Sequence, residues 1–328
     1  MINKKILIVL SLIITSSFVS CQPEFENPNY DFSHLFENLP FDMPVLVPPT
    51  FPDKDFSIID FGAVGDGIFK NTDAFRKAIE ACAGNGGGRV IVPAGMWLTG
   101  PIQLKSNINL HLLPGSHIQY TDNFDDYPLI ESNWEGLNQY RCMSPISGFD
   151  LENIAITGSG VIDGAGDAWR YVKKFKMTEN QWKALINSGG VLNEKGNEWY
   201  PSQQAYEGSK RVPEMLKNKH LYTKEDFEKY KDFHRPVLVN LVRCKNILLD
   251  GPTFQNSPAW NLHPLLCENL IVVNINVRNP WYSQNGDGID VESCKNVLIY
   301  NCKFDVGDDA LCMKAGRDKE GRDRGIPT

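Results

Sequence analysis

Asp308 and Asp309 stand side by side after Gly307 in NCKFDVGDDALC, an otherwise apolar, strand-like run. A third carboxylate, Asp287 of NGDGID, lies 22 residues before Asp309. If that interval is one turn of a coil, with stacked strands about 5 Å apart, the side chains at 287 and 309 are neighbours. Consecutive strand residues point to opposite faces, so Asp308 joins them only if the chain leaves strand geometry, which Gly307 permits. Crowded carboxylates repel; at least one pKa rises, leaving a protonated acid beside ionised bases. Inverting cleavage of a glycosidic bond needs that set, one acid protonating the leaving oxygen while a carboxylate activates water. Two other readings compete: three carboxylates can bind calcium, and aspartates in turns can be purely structural. The residues alone do not say which of the three is the acid.

The elements that position them follow from a repeat. Segments starting at Cys244, Cys267 and Cys294 each place an asparagine third, Asn246, Asn269 and Asn296, and a fainter copy starts at Leu151. Apolar pairs follow: Ile154 and Ile156, Ile247 and Leu249, Leu270 and Val272, Val297 and Ile299. Alternation of period two marks strands with one buried face. The asparagines are 23 and then 27 residues apart, too far for hairpins and typical of a solenoid. Asparagine suits the corner because it tolerates the left-handed region and bonds neighbouring backbone. The reading is an all-β, right-handed parallel β-helix.

Upstream, Phe75, Ala78, Ile79 and Cys82 follow helical spacing behind Asn71 or Thr72 as cap, and the glycines at 84 and 86–88 end the helix before a strand at Val90–Val92. This helix covers the open end of the core. The glycines lack a following G-K-[ST], which argues against nucleotide binding. Between 166 and 234 the repeat gives way to charged, helical-looking pieces such as ENQWKALIN and KEDFEKYKDF, an insertion on one face of the solenoid.

The domain plan is therefore an export or lipoprotein signal over 1–20, a Pro-rich extended linker over 21–54, and the β-helix over 55–328 with its insertion at 166–234. Lys4 and Lys5 precede an apolar run too short to span a bilayer, and FVSC ending at Cys21 resembles a lipoprotein box. Attachment through a lipidated Cys21 is the expected membrane contact, in the periplasm or on the outer membrane of a bacterium. The net charge of −7 argues against a nucleic-acid partner, and the chain is expected as a monomer. The eight cysteines show no C-x-x-C pair, so those in the repeat read as small buried residues rather than disulfide or zinc ligands.

NGDGID, GDDALCMKAG, RPVLVNLVRCKNILLDGPTFQNSPAWNLHP and DFGAVGDG with GGGRVIVPAG together resemble the polygalacturonase family, glycoside hydrolase family 28, over roughly 55–165 and 235–328. The resemblance implies a parallel β-helix that hydrolyses galacturonic-acid linkages of pectin with inversion and without a cofactor. It makes Asp308 the general acid and gives Asp287 and Asp309 the water. Asn285 and Asp287 match the family's Asn-Thr-Asp, with Gly286 in place of threonine. His263 and Trp260 sit on the same ridge, where they shape a sugar subsite or form the edge of the core. The family's later Gly-His-Gly and Arg-x-Lys motifs do not occur before Thr328, so the resemblance implies a C-terminally truncated member with little activity alone. Lys314, Arg317, Arg322 and Arg324 remain as local partners for a substrate carboxylate. The lysines of the insertion fit a closed pocket and exo action. Rhamnogalacturonan and xylogalacturonan hydrolases share the triad, and an eliminase or a non-catalytic glycan-binding β-helix shares the scaffold.

Overall fold

The computed structural model describes residues 30–328; the leader and Cys21, on which the export and lipidation expectations rest, lie outside them. Phe32–Thr328 form one compact unit. Leu46, within the stretch expected as a free linker, is 5% exposed, so part of that stretch is packed rather than extended into solvent.

Three parallel sheets wind along the chain. The first joins Asp55–Ser57, Gly88–Val92, Ile108–Leu112, Glu152–Gly158, Lys245–Asp250, Glu268–Val273 and Lys295–Tyr300. The third joins Ile102–Gln103, Ile146–Phe149, Val239–Val242, Leu262–Leu265, Ile289–Glu292 and Leu311–Lys314. Each strand pairs with those one coil away, which is a parallel β-helix.

The repeat explains the register. Ile154, Ile247, Leu270 and Val297 pair in one row, and Ile156, Leu249, Val272 and Ile299 in the next, all contributing to or packed against the main core. Fully burying each such side chain contributes roughly 1.5–3 kcal/mol. At the corner, Asn246, Asn269 and Asn296 adopt φ of 54°, 57° and 58°. Their amides form a ladder: Asn246 Nδ2 donates to Asn153 Oδ1 at 3.1 Å, and Asn269 to Asn246 and Asn296 to Asn269, each at 3.0 Å. Cys244, Cys267 and Cys294 stack beside it as buried free thiols.

The capping helix is Thr72–Gly84, with Phe75, Ala78, Ile79 and Cys82 buried. Neither expected residue caps it through its side chain. Asn71 is fully buried and instead ties a loop, its amide donating to Val64, Phe69 and Leu98 carbonyls, while Thr72 Oγ1 accepts from Gly100 N at 2.7 Å.

The insertion holds helices Glu179–Asn187, Gln203–Lys217 and Lys224–Glu228. It is anchored by a second apolar cluster in which Trp169, Val212 and Phe227 meet Leu129 and Cys142. Those last two belong to an antiparallel hairpin, Leu129–Trp134 with Leu137–Cys142, which the repeat gives no sign of.

Candidate active site

The third sheet carries the acidic residues. Ile289 pairs with Leu311, so two residues earlier Asp287 lies level with Asp309, and Gly288 N donates to the Asp309 carbonyl at 2.9 Å. Carboxylate oxygens of Asp287 and Asp309 and the Cys312 sulfur lie within 4.8 Å of one another. Asp308 is exposed beside them, in a bend that interrupts strand geometry, and its charge acts on Asp287. Gly307 is required there by close approach: a Cβ would sit 2.4 Å from both the Pro280 carbonyl and Ser283 Oγ. Ser283 also explains Gly286, where a Cβ would fall 1.8 Å from its hydroxyl.

The three carboxyls are not equivalent. Asp287 is 5% exposed whereas Asp308 and Asp309 are exposed. Burial first, then the charges of Asp290 and Asp308, push the Asp287 carboxyl up to about 7, with Lys314 opposing. The outward row beneath continues through Asp290 and Glu292, both fully buried. Burial raises Asp290, partly offset by Lys314 Nζ at 2.9 Å. Burial also works against the charge on Glu292, but His263 Nε2 at 3.1 Å and Arg324 Nη1 at 2.5 Å prevail and hold its carboxyl below the usual range.

Of the other sequence candidates, Trp260 and His263 are 2% and 1% exposed, so neither presents a face to a sugar. Trp260 stacks on Trp134 at 4.4 Å and carries Lys314 Nζ 4.1 Å from its ring centroid; His263 pairs with Glu292. Both lie beneath the site, which fits the core-edge alternative and not the sugar subsite. Lys314 and Arg324 are engaged by Asp290 and Glu292, and Arg317 by Glu135 at 2.8 Å. Arg322 is exposed on the helix Asp318–Arg324. Asn285, at φ 54°, accepts from Arg235 Nη2 at 2.9 Å and lines a cleft of about 200 Å³ between the hairpin and the insertion.

Sequence reasoning missed Asp290, Glu292, Arg141 and Arg235. The first two had a signal, because the alternation that turns Ile289 and Val291 inward turns Asp290 and Glu292 outward. The arginines had none, since only tertiary packing brings the hairpin against the segment before Val239.

The calcium reading fits poorly. Calcium takes six to eight oxygen ligands, whereas the converging set is two carboxylates and a thiol, with the thiol already donating to Asp309 Oδ2 at 3.2 Å.

Residues 221–320 match the model for "Glycosyl hydrolases family 28". Over 83% of its length the chain is 32% identical to a probable polygalacturonase of Vitis vinifera, covering 46% of that protein. It is 30% identical to the exo-poly-alpha-D-galacturonosidase of Dickeya chrysanthemi over 85% of the chain and 45% of the relative. Among solved structures it resembles a hyperthermoactive exopolygalacturonase from Thermotoga maritima, with 37% identity, a TM-score of 0.69, and coverage of 86% of this chain and 59% of that one. The chain spans about half the length of the curated relatives it matches. Parallel coils that set Asp287 level with Asp309, together with these likenesses, support the polygalacturonase family, glycosyl hydrolase family 28.

Proposed function

We propose that this chain carries the acid–base centre of an exo-acting polygalacturonase, cleaving galacturonic-acid linkages of pectin with inversion. The observation that carries the reading is the meeting of two carboxyls in unequal surroundings, Asp287 buried and proton-holding and Asp309 exposed, with exposed Asp308 acting on Asp287 through its charge. The family resemblance gives the acid's part to Asp308, which stands exposed beside the pair. Asp287 and Asp309, facing each other across adjacent coils, hold the water and take its proton. Asn285 flanks the site on the cleft side. The bonds balance without a cofactor: water adds to the anomeric carbon, its proton goes to a carboxylate, and the Asp308 proton leaves with the departing sugar.

The test is to incubate a version of the protein extended to the length of its relatives with homogalacturonan and with rhamnogalacturonan and to follow product anomers by NMR. First appearance of the β-anomer from an α-linkage supports inversion. Unsaturated products absorbing in the ultraviolet would replace the reading with elimination, and binding without turnover would leave a glycan-binding β-helix. Asp287 must ionise to act as base, so kcat/KM rises with pH through about 7. A fall over that range would instead make Asp287 the acid. The Lys4–Cys21 leader supports export and lipid attachment of the protein to a bacterial membrane, read out by mass spectrometry of the mature N-terminus.

A further inference from the structure

The thiol that counts against calcium points to a different class of cation. Cys312 is half-buried in the outward row, paired across the coils with Asp290, and its sulfur stands with carboxylate oxygens of Asp287 and Asp309 inside 4.8 Å. Two of these atoms, Cys312 Sγ and Asp309 Oδ2, are already 3.2 Å apart. A tetrahedral zinc with sulfur at about 2.3 Å and oxygen at about 2.1 Å sets such ligands roughly 3.6 Å from each other. A small side-chain rotation therefore admits the metal between them.

The third ligand comes from a buried carboxyl that lacks a partner. Asp287 is 5% exposed, and its Oδ1 has no hydrogen-bond partner among the described residues, which is costly for a carboxylate out of water. The surrounding charges favour a cation. Asp290 and Asp308 act on Asp287, and Asp290 also acts on Cys312. Lys314 opposes them but is held by Asp290 at 2.9 Å. Arg235, whose charge also reaches Asp287, gives its donors to the Pro258 and Gln284 carbonyls and to Asn285.

We infer that Asp287, Asp309 and Cys312 form an inhibitory seat for a thiophilic divalent cation, zinc or cadmium, with water completing its coordination. Two hard oxygens and one soft sulfur suit such a cation and not calcium. Binding breaks the Cys312 S–H bond; the proton goes to solvent, the sulfur electron pair goes to the metal, and no oxidation state changes. Burial, then the hydrogen bond to Asp309, pushes this thiol up to about 12, so metal and proton compete and affinity rises with pH. The seat coincides with the water position given to Asp287 and Asp309, so its effect on turnover rests on the proposed function, whereas the seating of the metal does not.

The experiment is titration of the metal-free chain carrying Cys21→Ser, which silences the leader thiol, with cadmium chloride, following the ultraviolet sulfur-to-cadmium charge-transfer band. The expected result is one cadmium per chain, displaced by zinc. Cys312→Ala should abolish the band and Asp309→Asn should weaken binding at least tenfold, while Cys302→Ala, which removes another half-buried thiol, should leave both unchanged. Thermal unfolding is checked for each. Absence of the band, or its persistence in Cys312→Ala, overturns the seat, as does displacement of cadmium by an equal concentration of calcium. Should Cys312→Ala fail to fold, Asp309→Asn decides, and undiminished affinity overturns the seat. In a version extended to the length of its relatives, saturating zinc should lower turnover of homogalacturonan at least tenfold, each variant being measured against its own metal-free rate. Metal seated without that inhibition overturns the inhibitory role and takes the water from Asp287 and Asp309; hydrolysis with no metal seated removes this inference and leaves the proposed function.

Discussion

The first and third sheets are wound from the same coils, yet they treat polar groups in opposite ways. On the first, each coil offers the next an asparagine, and the amides close on one another at 3.0–3.1 Å from Asn153 to Asn296. On the third, the outward row changes identity at each coil, passing from Asn240 to His263 to Asp290 to Cys312. The ladder repeats because every corner poses the same problem, a left-handed residue with backbone to satisfy. The other row does not repeat: an amide, an imidazole, a carboxyl and a thiol follow one another, the first three buried and Cys312 half-buried. Regularity marks the part of the solenoid that stabilises, and its breakdown marks the part suited to chemistry.

This contrast can be broken most strongly at the triad. Asp309→Asn is expected to lower kcat by about a thousandfold, the middle of the range for general acid–base groups, with the unfolding midpoint nearly unchanged; a loss below tenfold would remove Asp309 from the chemistry. Next comes the proton on Asp287. The folded carboxyl keeps it up to about 7 while the unfolded one releases it near 3.8, so this stabilisation is whole below 3.8 and is lost as pH rises to about 7. The loss is on the order of 4 kcal/mol at 1.36 kcal/mol per pKa unit. Urea unfolding at acid and at mildly alkaline pH should show it, and Asp287→Asn should flatten the dependence.

On the regular side the effects are smaller. Asn269→Ala removes two rungs of the ladder and leaves alanine at φ 57°, with an expected cost of about 2 kcal/mol. Asn269→Gly, which keeps the backbone at ease, should cost less; equal costs would show that the ladder bonds outweigh the backbone conformation. The smallest expected effect is of chelation. Activity should be unchanged in EDTA, and loss restored by calcium would return the triad to the metal reading.

Much of the coil was legible beforehand. The paired rows from Ile154 to Val297 and from Ile156 to Ile299, the asparagine corners, the free buried cysteines and the level placement of Asp287 with Asp309 all follow from period and spacing. So do the helix Thr72–Gly84 and the helix Glu179–Asn187, which is ENQWKALIN. For Trp260 and His263 the sequence leaves a sugar subsite and the core edge open, because a ridge residue looks exposed when only its own coil is considered. The hairpin Leu129–Cys142 and the charged groups around Lys314 then cover it.

The sequence by itself determined the winding, since strand alternation and corner residues are local properties repeated at each coil. It also determined which acids share a level, because a fixed coil length converts sequence separation into adjacency. Only the tertiary structure decided how deep each charge lies and which charged groups meet. Burial of Asp287 and the meeting of Arg141 with Arg235 depend on segments 94 residues apart folding onto the same cleft, and proton affinity follows solvent exclusion rather than residue type.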